Sequence, residues 1–377
     1  MSTVKKLEQF MDESIEKLGF PGIDCIVYQD HKEIFRHTSG YSDLETKTPV
    51  KRDAMYNIYS ATKMITCVAV LQLLERGKLL LGDHLAKYLP EFGQMQVKKG
   101  AHDFYPAQKQ IRIVDLLSMT AGLGYETDVP SIQNLRKETG SDFTTREFVS
   151  ALAKEPLRFE PGENWNYSFC HDVLAVVIEE ISGMSFGEYL KDNIFAPLGM
   201  QDTYFSVPSE KQDRRAPRYR YDPRSETIEL FPFAGPRAVV GARRESGGGG
   251  LISTAEDYIL FADALACGGT GKSGARILSP ASIRLMSTNR LSGAALNSYQ
   301  MMQGPGMGYG LGVAVFDDPA LAGSLVSKGS FTWGGLTGVQ NLIDPEHKLS
   351  YFVAQHMMNC PKYKLMPYMW NILYSYL

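Results

Sequence analysis

Strand-forming segments lie at both ends of this chain and helix-forming segments fill its middle, an order that leaves few folds open. Near the N-terminus, Ile23-Asp-Cys-Ile-Val-Tyr28 and Glu33-Ile-Phe-Arg-His37 flank a polar Gln29–Lys32 turn and read as paired strands. Near the other end, 309–316, 325–327, 339–343 and 349–354 read as strands. Between them, apolar periodicity predicts helices over 60–76, 112–118, 145–153, 170–182, 186–195, 255–267 and 280–288. An amphipathic helix over 3–19, with Leu7, Phe10, Met11, Ile15 and Leu18 on one face, opens the chain, and a helix over 362–377 closes it. The expectation is an α+β fold: one antiparallel sheet assembled from both ends, flanked by helices, beside a mostly helical second domain. Residues 1–59 and 305–377 would form the discontinuous sheet domain and 60–304 the helical region, with the active site at their junction.

The composition permits this and narrows the function. With 377 residues, 44% of them apolar, the chain can bury one large core or two that share a boundary. A net charge of −3 with interspersed signs argues against nucleic acid or an anionic membrane as partner. No apolar run approaches a membrane span. The N-terminal stretch Met1-Ser-Thr-Val-Lys-Lys-Leu lacks the apolar core of a secretory signal, so a cytoplasmic location is expected. Cys25, Cys67, Cys170, Cys267 and Cys360 form no Cys-x-x-Cys pair and read as reduced thiols. No His-Glu-x-x-His or tight His/Cys/carboxylate run occurs in the sequence, so neither a metal nor another cofactor is indicated.

The chemistry starts at Ser60-Ala-Thr-Lys63, between the aromatic run Met55–Tyr59 and a strongly apolar helix ending at Glu75-Arg76-Gly77. Ser60 stands where the helix begins and Lys63 one turn later on the same face. A desolvated lysine near the positive helix end loses basicity and can help activate a hydroxyl. The spacing alone is weak, since it recurs at Ser2–Lys5 and Ser14–Lys17. There, Ser14 and Lys17 read as the solvent side of an amphipathic helix.

Three other patterns mislead. Gly183-Met-Ser185-Phe-Gly187 matches a nucleophile elbow, but it follows a helix rather than a strand, so Ser185 reads as a helix cap. Gly268-Gly-Thr-Gly271-Lys272-Ser273 resembles the end of a phosphate loop yet also follows a helix. Gly247–Gly250 reads as backbone needing unusual angles and close approach.

Two segments complement Ser60 and Lys63. In Pro161-Gly-Glu-Asn-Trp165-Asn-Tyr167-Ser168-Phe169, a tyrosine beside a cationic lysine can be held partly as phenolate and act as general base; the plainer reading is a packed aromatic. In Gly329-Ser-Phe-Thr-Trp333-Gly334-Gly335-Leu336-Thr337-Gly338, adjacent glycines at a strand edge let an acyl group approach main-chain N–H groups; the plainer reading is a tight bend.

With these three motifs the sequence resembles the serine β-lactamase-like superfamily of class C β-lactamases, D-Ala-D-Ala peptidases and their esterase relatives. Leu116–Leu123, Ser185–Thr203 and Gly247–Asp257 resemble it as well, and the likeness runs from about residue 20 to 360. It implies Ser60 as acylated nucleophile, Lys63 as its partner, Tyr167 as base, and the backbone N–H groups of Ser60 and Leu336 as oxyanion hole. Two departures bear on substrate. Trp333-Gly334-Gly335 stands where β-lactamases have Lys-Thr-Gly, as in the esterase and acyltransferase branch, and Phe169 replaces the asparagine of Tyr-x-Asn. Both remove polar handles and add aromatic surface, so Trp333, Gly334, Gly335 and Phe169 are expected to bind a neutral, apolar acyl ester. The reading is a serine carboxylesterase for short or medium acyl esters. Acyl transfer, weak β-lactam or peptide hydrolysis, and a catalytically silent scaffold remain as alternatives.

Overall fold

The structure is a computed structural model and describes residues 3–100, 103–231, 243–359 and 362–377. Ser2 and Cys360, and the side chain of Leu18, lie outside the described ones. An eight-stranded antiparallel sheet organises the molecule. Its strands run in the spatial order Met307–Tyr309, Ala314–Phe316, Phe331–Thr332, Gln340–Asp344, Leu349–Ala354, Gly22–Gln29, Lys32–Asp43 and Thr48–Pro49. The two chain ends meet at the centre, where Asp24 pairs with Ala354 and Gln29 with Leu349.

Helices cover both faces of that centre. Successive strand residues point to opposite faces. Phe352 packs on Tyr258 of the helix Ala255–Ala266, whereas the neighbouring Tyr351 directs its hydroxyl at Met366 and Met369 of the helix Lys362–Tyr374. All six residues of Leu349–Ala354 are accordingly buried, which is why this strand reads as continuously apolar rather than alternating. The helix Thr3–Leu18 buries Leu7 and Met11. Ser14, expected on the solvent side, is buried instead and bonds back to the Phe10 carbonyl at 2.6 Å, while Lys17 is exposed.

The remaining differences are local. The segment 309–316 is two strands, not one, because Gly312 adopts φ +75° and Gly310 N–H closes a turn on the Val313 carbonyl. Residues 325–327 form no strand, and the strand of that region is Phe331–Thr332. Helices Pro130–Thr139 and Gly293–Gln303 were not expected from the periodicity; each buries few side chains, so its apolar stripe is faint. No helix among the described residues is long and apolar enough to cross a membrane.

Candidate active site

The helix Thr62–Glu75 is buried from Thr62 through Leu73, so it is apolar on every side and fixed by its surroundings. It packs against Cys170–Ser182. At its head, the 3₁₀ turn Tyr59–Ala61 carries Ser60. Tyr59 holds a left-handed φ of +43°, costly for a non-glycine residue, and its hydroxyl accepts from the buried Arg218 guanidinium. The turn presents Ser60 Oγ 2.5 Å from Tyr167 Oη and 3.3 Å from Lys63 Nζ.

Lys63 is fully buried and donates to the Gly248 carbonyl at 2.5 Å. Burial drives its pKa below the usual lysine range, although Tyr125 and Asp172 oppose the shift. A neutral amine keeps an N–H for Gly248 and frees a lone pair for the Ser60 hydroxyl. Tyr167 moves the other way: burial pushes its phenol up to about 12 despite hydrogen bonds with Ser60, Trp333 and Tyr125. The phenol, rather than the partial phenolate anticipated from sequence, is the resting form.

Trp333 stacks on Tyr167 with centroids 6.0 Å apart and planes 17° apart, and Tyr309 meets Trp333 edge-on at 5.4 Å. The following residues are latched beside Ser60. Gly335 N–H bonds the Val339 carbonyl at 2.7 Å, Thr337 Oγ1 bonds the Asn57 carbonyl at 3.3 Å, and a Cβ at Gly335 would collide with the Ile58 carbonyl oxygen. Leu336 is thereby held next to the Ser60 turn, with its side chain exposed. Phe169 is 6% exposed and lies against Phe148 and Tyr125; the solvent-facing ring there is Tyr125, 43% exposed and 4.9 Å from Tyr167.

Tyr125 and Asp172 went unnoticed in the sequence. The Asp172 carboxylate accepts from Arg244 Nη2 at 2.6 Å and Ser246 Oγ at 2.7 Å, all buried. Its other oxygen and Lys63 Nζ crowd Gly248, leaving no room for a side chain. Asp172 stands in the first turn of its helix, where an acidic residue reads as an ordinary dipole partner, so no local signal marked it. The Gly247–Gly250 stretch does provide close approach, but none of its four glycines has a positive φ. Ser185 is an N-cap: its Oγ accepts from Glu188 N–H while Glu188 returns a bond to Ser185 N–H.

The Beta-lactamase family profile matches residues 6–363. The chain belongs to the Beta-lactamase family. Protein Rv1367c of Mycobacterium tuberculosis is 33% identical over 356 residues, covering 90% of this chain and 86% of that protein. Esterase EstB of Burkholderia gladioli is 28% identical, with coverage of 91% and 88%. Among solved structures, EstCE1, a hydrolase with promiscuous acyltransferase activity, superimposes with a TM-score of 0.83 at 25% identity over 99% of this chain and 98% of that one. The fold and the hydrolase character of the family follow.

Within this Beta-lactamase family member, three basic side chains, Arg243, Arg244 and His356, offer no free cation to a substrate carboxylate. Arg244 is paired with Asp172 and Arg243 with Asp142, and burial lowers the pKa of His356 to about 3, which leaves it neutral. The opposed shifts of Lys63 and Tyr167 predict a pH profile. With Lys63 as the expected proton acceptor, its protonation would remove that role, so kcat/KM should rise with pH through a midpoint below the ordinary lysine pKa. It should then stay level until Tyr167 ionises near 12. A pH–rate series checks this, and a limb at the ordinary lysine value would remove Lys63 from that role.

Proposed function

We propose that this chain is a serine carboxylesterase that hydrolyses short or medium neutral acyl esters through an acyl-enzyme on Ser60. The observation that carries this reading is one hydroxyl held 2.5 Å from a phenol and 3.3 Å from a buried lysine, under a tryptophan rather than a cation. The Ser60 proton passes to the Tyr167–Lys63 pair as Oγ attacks the ester carbonyl. The oxyanion is received by the N–H groups of Ser60 and Leu336. The C–O bond to the alcohol breaks, the alkoxide takes the proton from the pair, and the acyl group remains on Ser60. Water then attacks that carbonyl, its proton travels the same way, and the acid leaves with Ser60 restored. Acyl transfer to an added alcohol shares every step but the last, and the promiscuous acyltransferase activity of EstCE1 keeps it as the second reading.

A screen of p-nitrophenyl esters of graded chain length, run beside nitrocefin and with and without an acceptor alcohol, tests both. Neutral esters should be cleaved at least tenfold more efficiently than nitrocefin. Trp333→Lys should lower ester efficiency and improve apparent affinity for the anionic cephalosporin about tenfold, because a charge-assisted hydrogen bond contributes roughly 1.5–3 kcal/mol. Wild-type activity on nitrocefin equal to that on the best ester would sink the esterase reading.

A further inference from the structure

The sequence contains no metal motif, yet the fold gathers one set of donors away from Ser60. Asp30 and His31 form the tip of the hairpin between Gly22–Gln29 and Lys32–Asp43, both with positive φ, +47° and +66°. Cys267 ends the helix Ala255–Ala266. One donor atom from each of Asp30, His31 and Cys267 lies within 4.8 Å of the other two. Behind them stands Asp263, whose side chain is wholly buried. Its carboxylate takes His31 Nδ1 at 2.7 Å and His31 N–H at 3.2 Å, and lies 3.8 Å from Cys267 Sγ.

We propose that Asp30, His31 and Cys267, backed by Asp263, form a structural site for a divalent cation of the zinc type. Mixed imidazole, thiolate and carboxylate donors suit that ion. A carboxylate on the ligand histidine is the usual device that orients it. Tetrahedral zinc bonds of about 2.0–2.3 Å put ligand atoms roughly 3.3–3.8 Å apart, so the half-exposed His31 and exposed Asp30 need to close by about an ångström. The charges also call for a cation. Asp30 and Asp263 set two negative charges against Lys348, which sits 2.9 Å from Asp30. Binding of a divalent ion with release of the Cys267 proton to solvent brings the cluster to neutrality.

The role is structural because of where the site lies. Gln29 pairs with Leu349 and Leu349 with Asp344, whereas Trp333-Gly334-Gly335 adjoins the Gln340 end of the same strands. Several strand residues, roughly 13 Å or more, intervene. The ion would pin the hairpin tip to a helix more than two hundred residues away in sequence.

The test is titration of the full chain with Co²⁺, followed by the thiolate charge-transfer and tetrahedral d–d absorption, with Zn²⁺ as competitor. One saturating equivalent is expected, lost in Cys267→Ser and weakened at least tenfold in His31→Asn, a residue that tolerates left-handed backbone. Cys360→Ser should keep it. Zn²⁺ should raise the thermal midpoint of wild type and leave that of Cys267→Ser unchanged, with ester hydrolysis the same in both. Absence of saturable thiolate absorption, or its survival in Cys267→Ser, overturns the proposal.

Discussion

Ser60→Ala should abolish ester hydrolysis and covalent labelling by a fluorophosphonate, while Ser185→Ala should keep both. Ser60 Oγ faces Tyr167 and Lys63, whereas Ser185 Oγ is spent on the N-terminus of Phe186–Leu190. The second substitution therefore costs at most some stability, about 1 kcal/mol for a lost cap. Assay and labelling of the two variants side by side check the assignment. The reverse outcome would place the chemistry on a nucleophile elbow and remove the basis for every role proposed around Ser60.

Tyr167→Phe should lower turnover by on the order of 10²-fold or more, with folding little changed. The substitution removes one oxygen and leaves the ring, which packs against Trp333, Tyr125 and Trp165. Its effect should fall on kcat rather than on KM, because the phenol relays a proton and carries no large share of the contact surface. Thermal unfolding measured beside the kinetics separates lost chemistry from lost structure. A variant with nearly full activity would leave Lys63 as the sole acceptor, a role its 3.3 Å distance from Ser60 Oγ permits.

Much of this site was legible because its signals are local. Ser60 and Lys63 are one helical turn apart on a helix whose apolar composition already announces burial, and Lys63 is indeed fully enclosed. Ser182-Gly183 reads as a helix end from sequence, and Gly183 takes the left-handed cap conformation. Gly334-Gly335 could be singled out as adjacent glycines at a strand edge, although the Ile58 carbonyl that excludes a Cβ at Gly335 is brought there only by folding. The α+β architecture was legible for a similar reason: strands at both ends have few ways to satisfy their backbone except with each other.

Other features needed contacts that no local pattern encodes. Arg244 meets Asp172 across 72 residues, and Gly248 meets Lys63 across 185. Side-chain charge alone cannot say which way a buried group shifts. Lys63 and Tyr167 titrate in opposite directions because the same burial disfavours an ammonium and a phenolate alike, and that burial exists only in the folded chain. For the same reason Asp30 and His31 read only as a polar turn and Cys267 only as a reduced thiol. The sequence by itself determined the helix that carries Ser60 and Lys63, the glycine bend after Trp333 and the sheet made of two ends, since periodicity and steric need act over a few residues. Tertiary structure decided the protonation states, the Asp172–Arg244 support and the donor cluster at the hairpin tip, since electrostatics and burial act between residues that only folding brings together.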